Sequence, residues 1–400
     1  MGDKSAFVGI VTKLFDITGK ALSGEWGTDD LDGCGIPVLR TTNFTNVGKV
    51  NYDNVVTRNI QKQNISEKLL KKGDIIIEKS GGTDKNPVGR VIYFEGEENK
   101  YLFNNFTGLL RVKDKNEWYP KYVFYSMFAY YKRGGTRRFE NKTTGLHNLK
   151  LDDYIKRLDI QKASYVDQVH VCKLLDCVRL QIDNMERELE LLDELVKARF
   201  MEMFGDPNIE FKYSSVKFND LVVRMTKGPF GSDMKKDLFV PKGEDTYKVY
   251  IQINAIQKNQ SLGEYYISKE YFDRKVSRFE LFPNDYIITC DGTLGKYLKL
   301  DENMEKGVIS PSLLRLTLQN DKINDKYFEN IWDFYMLGLM KKEARNACLV
   351  HLPSAKKIGE ISIPVPPLEL QNQFASFVEE IDKSRLLSNH SLFLIKSLTF

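Results

Sequence analysis

A long segment near the middle of the chain, from about Tyr165 to Phe204, carries apolar side chains at alternating gaps of four and three residues. These apolar positions are Val171, Leu175, Val178, Ile182, Met185, Leu189, Leu192 and Val196. The spacing is the heptad seam of a coiled coil, because a lone surface helix would drift off it. Gly205 and Pro207 predict the end of the helix, since glycine accepts the left-handed cap conformation and proline cannot continue a helix. The pattern predicts a helical rod about 60 Å long.

The residues before the rod predict a strand-rich domain. Apolar or β-branched runs at 36–39, 74–78, 88–94 and 108–112 are broken by Gly, Asn and Asp turns. One helix is predicted from Pro120 to Lys132, because its aromatic and methionine residues are spaced for one buried face. A basic loop interrupted by glycines, YYKRGGTRRFENKTTG, follows this helix.

From about Asn208 the pattern begins again, which predicts an internal repeat. Asp74 falls on Asp285, a shift of 285 − 74 = 211, and each precedes an apolar strand that ends at a Gly-Thr loop. Leu149 falls on Leu352, a shift of 352 − 149 = 203. The helix at 120–132 is matched by Asp325 to Lys342, with one predicted buried face made of Tyr327, Ile331, Phe334, Tyr335 and Leu339.

The rod also recurs, after the proline-rich run 364–367. The shift of 203 residues places the second seam at Phe374, Val378, Ile381, Leu392 and Ile395. Arg385 and Ser388 make this seam imperfect, and a slip onto Leu386 and Leu387 would repair it. Two apolar seams in one chain are buried most economically against each other, so we predict an antiparallel coiled coil.

The resulting fold class is α+β, with two similar strand-rich domains separated by two long helices. We predict domains at 1–163 and 207–364, a central spacer helix at 164–206 and a C-terminal spacer helix at 365–400. An antiparallel helix pair would relate the two domains by an approximate two-fold axis, as in many proteins that read two DNA half-sites.

Composition adds few constraints. The chain has 400 residues with 59 basic and 55 acidic side chains, a net charge of +4, so a polyanion would have to be held by local patches. Its five cysteines are scattered without a CxxC pair, which favours a reducing, cytoplasmic environment and argues against structural zinc. No run of about 18 apolar residues exists, so we expect no membrane association.

Basic and amide side chains beside the predicted strands are the candidates for DNA contact, because Arg and Lys hold phosphates and Arg, Asn and Gln read base edges. The candidates in the first domain are Arg40, Asn43, Lys79, Lys85, Arg133, Arg137, Arg138 and Lys142. Those in the second domain are Lys227, Lys235, Gln252, Asn254, Lys296, Lys341, Lys342 and Arg345. Any single one could instead be a solvated surface charge. The clusters that follow the same helix in both repeats carry the strongest prediction.

Catalytic motifs are scarce. The sequence contains no GxxxxGK[ST] phosphate loop and no Asn-Pro-Pro-aromatic motif. Asp74, Glu78 and Lys79 resemble a metal-nuclease set, but Glu78 and Lys79 are adjacent and would point to opposite faces of a strand. Strand packing and a surface ion pair explain them better. His147 and His351 fall near each other in the repeat alignment, and hydrogen-bonded turn histidines are the better explanation for both.

The duplicated plan resembles the specificity subunit of type I restriction-modification systems. The resemblance covers nearly the whole chain and rests on KGDIII and PNDYII, on GPFGSDM at 228–234, on IPVPPLELQNQ before the last helix, and on ARFMEMFGDP closing the first. The first spacer differs, because QKASYVDQ at 161–168 lacks the proline pair.

The resemblance implies a subunit that is not itself an enzyme. Such a subunit reads a split target on double-stranded DNA with its two domains, holds DNA methyltransferase (modification) subunits and is joined by restriction/translocase subunits. S-adenosylmethionine, ATP and magnesium are then expected only in those partners, and no cofactor or metal in this chain. Two other hypotheses remain open from the residues alone, an intracellular protein-interaction adaptor that dimerises through its coiled coil and a nuclease that acts alone.

Overall fold

The computed structural model describes residues 10–62, 65–84, 86–143, 146–206, 209–258, 263–346 and 351–399. The chain divides into two compact units, residues 1–185 with 391–400, and residues 186–390. Both divisions fall inside long helices. The domain limits expected from the sequence, at 163, 206 and 364, therefore stay predictions.

The first unit is built mainly from short strands. Its strands are β1 (Val11–Lys13), β2 (Leu22–Ser23), β3 (Thr28–Asp29), β4 (Ile36–Leu39), β5 (Val56–Asn59), β6 (Ile75–Glu78), β7 (Ser80–Gly82), β8 (Val91–Tyr93), β9 (Leu102–Phe103), β10 (Thr107–Leu110), β11 (Glu140–Thr143), β12 (Leu146–Leu149) and β13 (Asp159–Gln161). Its helices are α1 (Leu14–Thr18), α2 (Pro120–Lys132) and α3 (Leu151–Arg157), and α4 (Tyr165–Phe204) begins in this unit.

A central sheet of order β2-β10-β6-β8 organises the first unit. Ile75, Ile76 and Ile77 in β6 are fully buried, as the unbroken apolar run predicted. Successive side chains point to opposite faces, so Ile75 and Ile77 pack in the cluster with Phe124 of α2. Ile76 packs on the other side, in a cluster with Phe103 of the sheet β3-β5-β4-β9.

The second unit has its own set of elements. Its strands are β14 (Gly205–Asp206), β15 (Glu210–Phe211), β16 (Ser215–Lys217), β17 (Val222–Lys227), β18 (Thr246–Tyr250), β19 (Tyr265–Ser268), β20 (Tyr286–Thr289), β21 (Tyr297–Lys299), β22 (Gly307–Ile309), β23 (Leu313–Leu318) and β24 (Ser362–Pro364). Its helices are α5 (Gln252–Ala255), α6 (Lys269–Tyr271), α7 (Asp325–Ile331), α8 (Leu337–Asn346), α9 (Ala355–Gly359) and α10 (Leu368–Thr399), the last of which ends in the first unit.

The two units share one topology, which confirms the predicted repeat. The sheet β17-β23-β20-β21 corresponds to β2-β10-β6-β8 strand for strand. In each unit a second sheet contains one parallel pair, β4 with β9 and β18 with β22. Two antiparallel pairs, β1 with β13 and β16 with β24, each join a strand near the start of a unit to the strand before a long helix, α4 or α10. The packing repeats as well, since Tyr286 and Ile288 face one cluster and Ile287 the other.

The matched helices differ in detail. Helix α2 has the predicted bounds, Pro120 to Lys132. The helix predicted from Asp325 to Lys342 instead contains a π-helical turn, Trp332–Met336, and continues to Asn346. A π turn inserts one residue and rotates the following face. For this reason Leu339 is partly exposed although predicted buried, while Met336 and Met340 are buried.

The two long helices run antiparallel in the second unit. The Phe200 ring of α4 lies 5.6 Å from the Phe374 ring near the start of α10. Farther along α10, the Ser388 hydroxyl is 3.3 Å from Glu188, which lies earlier in α4. Partner positions thus rise along one helix as they fall along the other. This pairing confirms the antiparallel coiled coil.

Burial of the first seam follows the prediction with one exception. Val196 is buried, and the positions from Leu175 to Leu192 are half-buried, as expected for a seam between two helices. Val171 is 40% exposed, so its assignment to the seam is wrong. Its neighbour Cys172 is buried instead, because this end of α4 packs on the core of the first unit.

The heptad register of the second seam continues through its two polar positions, Arg385 and Ser388. Phe374, Val378 and Leu392 are buried, and Ile381 and Ile395 are half-buried. The predicted slip is wrong, since Leu386 and Leu387 are 71% and 70% exposed. Arg385 stays in the seam because its guanidinium pairs with Asp193 at 2.5 Å and with Asp382 at 2.9 Å.

Gly205 ends α4 as predicted. Its φ of +94° lies in the left-handed region, and a Cβ there would be 2.5 Å from the carbonyl oxygen of Glu210. The glycine is therefore needed both for the backbone conformation and for the close approach of β15.

Candidate nucleic-acid interface

The basic loop after α2 forms a rigid turn with exposed arginines. Gly134, with φ +74°, reverses the chain, and a 3-10 helix covers Gly135–Phe139. The side chains of Thr136 and Phe139 are buried, and their packing in the protein interior holds the backbone of the turn in place. Arg133, Arg137 and Arg138 are exposed on this turn. The fourth predicted candidate in the loop, Lys142, lies in β11, and its side chain is outside the described set.

Two of these arginines are oriented by contacts that leave donors free. Arg137 donates from Nη2 to the carbonyl oxygen of Asp84 at 3.1 Å. The Arg138 guanidinium lies over the Phe139 ring at 4.8 Å. A guanidinium has five donors, so each remains able to bind a phosphate or the edge of a guanine.

Asn43 does not fit the predicted role of a base reader. It is 2% exposed, and its amide Oδ1 accepts from the backbone of Arg40 at 3.0 Å while Nδ2 donates to the carbonyl of Asn51 at 3.0 Å. These bonds fix the loop that carries Arg40. Arg40 itself donates to the carbonyl of Asn54 at 3.1 Å and is half-buried. Asn43 is thus explained as a loop-fixing residue.

Lys79 lies where β6 ends. Its Nζ donates to the Ser23 hydroxyl at 3.2 Å, and burial together with the nearby Lys68 lowers its pKa. Glu78, on the opposite face, pairs with Arg90 at 3.3 Å, and burial raises its pKa despite this partner. Lys85, another candidate near this strand end, lies outside the described residues.

Asp74, Glu78 and Lys79, the residues that resemble a metal-nuclease set, each contact a different neighbouring residue. The Asp74 carboxylate accepts from the backbone of Lys71 at 2.8 Å and from Arg111 at 2.6 Å. Asp285, its repeat partner, accepts from the backbone of Phe282 at 2.9 Å. Both aspartates therefore stabilise the turn before their strand. Among the residues that the structure describes, no three His, Cys, Asp or Glu side chains are grouped to hold a metal ion.

In the second unit, two candidates lie where β20 ends. The backbone N–H of Lys296 donates to the Thr289 hydroxyl at 3.0 Å, and its side chain is exposed. Lys227 ends β17, which is separated from β20 by β23, and its Nζ is 4.0 Å from Asp291. Lys227 and Lys296 thus lie at the same end of the strands of this sheet, the end that corresponds to the position of Lys79 in the first unit.

The remaining candidates of the second unit are spread more widely. Lys341 and Lys342 are exposed on α8, and Arg345 follows them with a side chain that is outside the described set. Lys235 is exposed, and Gln252 and Asn254 are half-buried in α5. Asn254 Nδ2 donates to the carbonyl of Gly263, while its Oδ1 is buried without a hydrogen-bond partner.

His351 takes up a local hydrogen bond, as predicted, whereas the buried Nδ1 of His147 has no hydrogen-bond partner among the described residues. His351 Nδ1 lies 2.6 Å from the Asp291 carboxylate, across an isolated β-bridge. His147 in β12 lies 3.4 Å from Glu140 in β11. Neither arrangement forms a catalytic constellation.

A pair of buried glutamines was missed by the sequence analysis. Gln168 in the first turn of α4 is 1% exposed, and its Oε1 accepts from the backbone N–H of Tyr119, directly before α2, at 2.8 Å. Gln371 in the first turn of α10 is fully buried, and its Oε1 accepts from the backbone N–H of Asn324, directly before α7, also at 2.8 Å. The two residues are 371 − 168 = 203 apart.

The donor side of each glutamine repeats as well. Gln168 Nε2 donates to the carbonyls of Glu117 and Ala163 at 3.0 Å. Gln371 Nε2 donates to the equivalent carbonyls, those of Lys322 at 3.1 Å and Pro366 at 2.8 Å. Each spacer helix is thereby fixed to the helix before its domain's basic cluster. The sequence contained a signal for these two residues, because a glutamine occurs at the same repeat position in the first turn of both long amphipathic helices.

Comparison with known proteins gives a consistent result. Residues 231–395 match the model of the type I restriction modification DNA specificity domain. A putative type I restriction enzyme MjaX specificity subunit from Methanocaldococcus jannaschii is 22% identical over 93% of this chain and 86% of its own length. The type I restriction enzyme MjaVIII specificity subunit of the same organism is 30% identical over 32% of each chain.

Two solved structures share the fold over nearly the whole chain. One is the type I restriction-modification S subunit from M. genitalium, with a TM-score of 0.52 and 14% identity over 99% of this chain and 96% of that one. The other comes from work on complex assembly and conformational transition of the type I R-M system, with a TM-score of 0.59 and 12% identity over 98% and 96%.

Each unit has the same order of strands in its central sheet, and α4 and α10 run antiparallel in the second unit, which is the fold that the two solved structures share. Residues 231–395 thus match the type I restriction modification DNA specificity domain, and the chain over 93% of its length is similar to a type I restriction enzyme specificity subunit. The comparisons give no support to the adaptor hypothesis. No helix within the described ranges is both long and apolar enough to cross a membrane.

Proposed function

We propose that this chain reads a bipartite DNA target, one block with each domain, and scaffolds the methyltransferase subunits that modify it. The observation that carries the proposal is the repeat itself. The same sheet occurs twice, and each unit has exposed basic residues near the C-terminal end of the matched helix, with Arg133, Arg137 and Arg138 after α2 and Lys341 and Lys342 inside α8. Such pairs of modules match DNA half-sites whose separation is set by the protein.

The catalytic work then belongs to other subunits. We propose modification subunits that bind S-adenosylmethionine and restriction/translocase subunits that use ATP and magnesium. This chain would supply specificity and spacing, with its coiled coil as the element that sets the distance between half-sites. The exposed charges of α4, which include the Arg187–Glu190 pair at 3.0 Å, are available to a protein partner.

Removing the arginines of the first-domain turn should weaken DNA binding. We expect the double variant Arg137→Ala/Arg138→Ala to lower affinity for a target duplex and to reduce the slope of log K against log salt by about 2, because each lost phosphate contact removes about 0.9 from it. Fluorescence anisotropy between about 50 and 200 mM salt measures both. Lys100→Ala is the matched control, since Lys100 is exposed near the opposite end of β6 and pairs with Glu97.

Charge reversal on the spacer should act differently. We expect Glu190→Lys to impair co-purification of the methyltransferase subunit while the chain keeps its affinity for DNA, because Glu190 is exposed on α4 away from both basic loops in sequence. Intact assembly combined with a collapse of DNA affinity would show that this face of the helix contacts DNA.

A further inference from the structure

One loop with a solvent-accessible aromatic ring occurs in both units. The sequence GEWGTD at 24–29 aligns with GPFGSD at 228–233, a shift of 228 − 24 = 204. Each loop directly follows an edge strand, β2 or β17, that pairs with the corresponding strand β10 or β23. Both loops therefore place glycine, aromatic, glycine, hydroxyl and aspartate residues in one order at one place in the fold.

The first glycine of each loop is required by packing. A Cβ on Gly24 would clash with the carbonyl oxygen of Asn104, and one on Gly228 with that of Ser310. Asn104 and Ser310 each follow the parallel strand of their unit's second sheet, β9 or β22. Each loop therefore packs against the residue that follows the parallel strand of its unit's second sheet. This packing fixes the position of the backbone that carries the aromatic ring.

Further contacts hold each loop in shape. Arg58 donates from Nε to the carbonyl of Trp26 at 3.0 Å, and its guanidinium lies 4.3 Å above the indole. In the second unit, the Tyr271 hydroxyl donates to the carbonyl of Asp233 at 3.0 Å, and Lys275 lies 3.5 Å from the Asp233 carboxylate. A ring on a fixed backbone loses little conformational entropy when it binds.

Basic residues flank the two loops in sequence or contact them. Phe230 is 75% exposed, although a phenyl ring gains nothing from solvent. Lys227 stands three residues before it, and Lys235 follows. Trp26 is half-buried beneath Arg58, and Lys79 reaches Ser23 at the start of its loop. Both loops are therefore flanked in sequence or contacted by basic residues at the strand ends that carry the candidate DNA contacts, and Arg58 also pairs with Asp29 of its loop.

We infer that Trp26 and Phe230 are a matched pair of aromatic DNA contacts, each packing its ring against bases of its own half-site. The inference rests on the proposed function and deepens it, because it names a base-contacting residue in each domain. In a duplex, an aromatic ring contacts the thymine methyl group in the major groove or wedges between two base steps, and neither contact involves a phosphate. The flanking lysines would hold the adjacent backbone.

Phe230→Ala tests this in the full chain assembled with its methyltransferase subunit. The probe is a labelled duplex that carries the target mapped by methylation. Loss of one base contact should lower affinity about 5- to 150-fold, with the slope of log K against log salt unchanged, and Phe230→Trp should restore binding. The matched control is Phe282→Ala, because Phe282 is 46% exposed in the same unit but precedes β20, at the other end of the sheet.

Three results would overturn the inference. Phe230→Ala could bind the target as tightly as the unmodified chain. It could lose the methyltransferase subunit while its DNA affinity stays, which would make the ring a protein contact. It could flatten the salt dependence, which would mean that the loop acts only through phosphate. Absence of salt-dependent duplex binding by the unmodified complex would instead contradict the proposed function, before any variant is compared.

Discussion

Replacing Phe200 by alanine should be the most destabilising single change in the second unit. Phe200 is fully buried where α4 meets the second domain and α10. Its ring lies 5.1 Å from Phe204, 5.5 Å from Phe334, 5.6 Å from Phe374 and 5.7 Å from Tyr327. One side chain therefore joins the end of the rod, the matched helix and the second spacer.

The expected cost is about 3–5 kcal/mol in the free energy of unfolding, which combines the lost burial of the ring with the cavity it leaves. Hydrogen exchange measured by mass spectrometry should show faster exchange across 186–390 and little change in 10–163. Leu195→Ala is the control, because Leu195 is on the same helix but 46% exposed and should change stability by no more than about 0.5 kcal/mol. Equal effects of the two variants would contradict the assignment of Phe200 to a packed junction.

The second large effect is expected at Gln371. Alanine there would leave the N–H of Asn324 and the carbonyls of Lys322 and Pro366 without the partner that the fully buried Gln371 amide provides. Each buried group left unpaired costs about 1–3 kcal/mol. We expect a loss of several kcal/mol, and a looser attachment of α7 to α10.

A set of variants separates the hydrogen bonds from packing. Gln371→Met keeps the length of the side chain without its amide, so it should lose nearly as much stability as Gln371→Ala. Gln373→Ala, two residues farther on an exposed face of the same helix, should be silent. In the first unit we expect Gln168→Ala to lower stability as Gln371→Ala does in the second, because Gln168 makes the equivalent hydrogen bonds. Thermal unfolding and hydrogen exchange check both units, and a silent Gln371→Met would show that the amide is not needed.

Much of the fold was predictable because the repeat supplied each pattern twice. Helix α2 and helix α4 have their predicted bounds, since periodicity and the Gly205 cap define them locally. The π turn at Trp332–Met336 has no comparable local signal. It accompanies a tertiary contact, in which buried Trp332 donates from Nε1 to the carbonyl of Gly295 at 2.9 Å.

The candidate interface was less predictable, because residue type does not reveal burial. Asn43 looked like a base reader and is a buried loop brace, whereas Arg137 and Arg138 are exposed as expected. Arg385 remains in the seam only because Asp193 and Asp382 pair with it, a compensation that no heptad pattern encodes. Polar residues in apolar positions need the partner helix before they can be explained.

We propose that two copies of one domain read two DNA blocks at a distance set by paired helices. The most direct test is a genome-wide map of methylated adenines in cells that express this chain with its methyltransferase subunit. We predict a split motif, with two short specific blocks around a gap of fixed length. A single uninterrupted motif, or blocks separated by a variable gap, would contradict the claim.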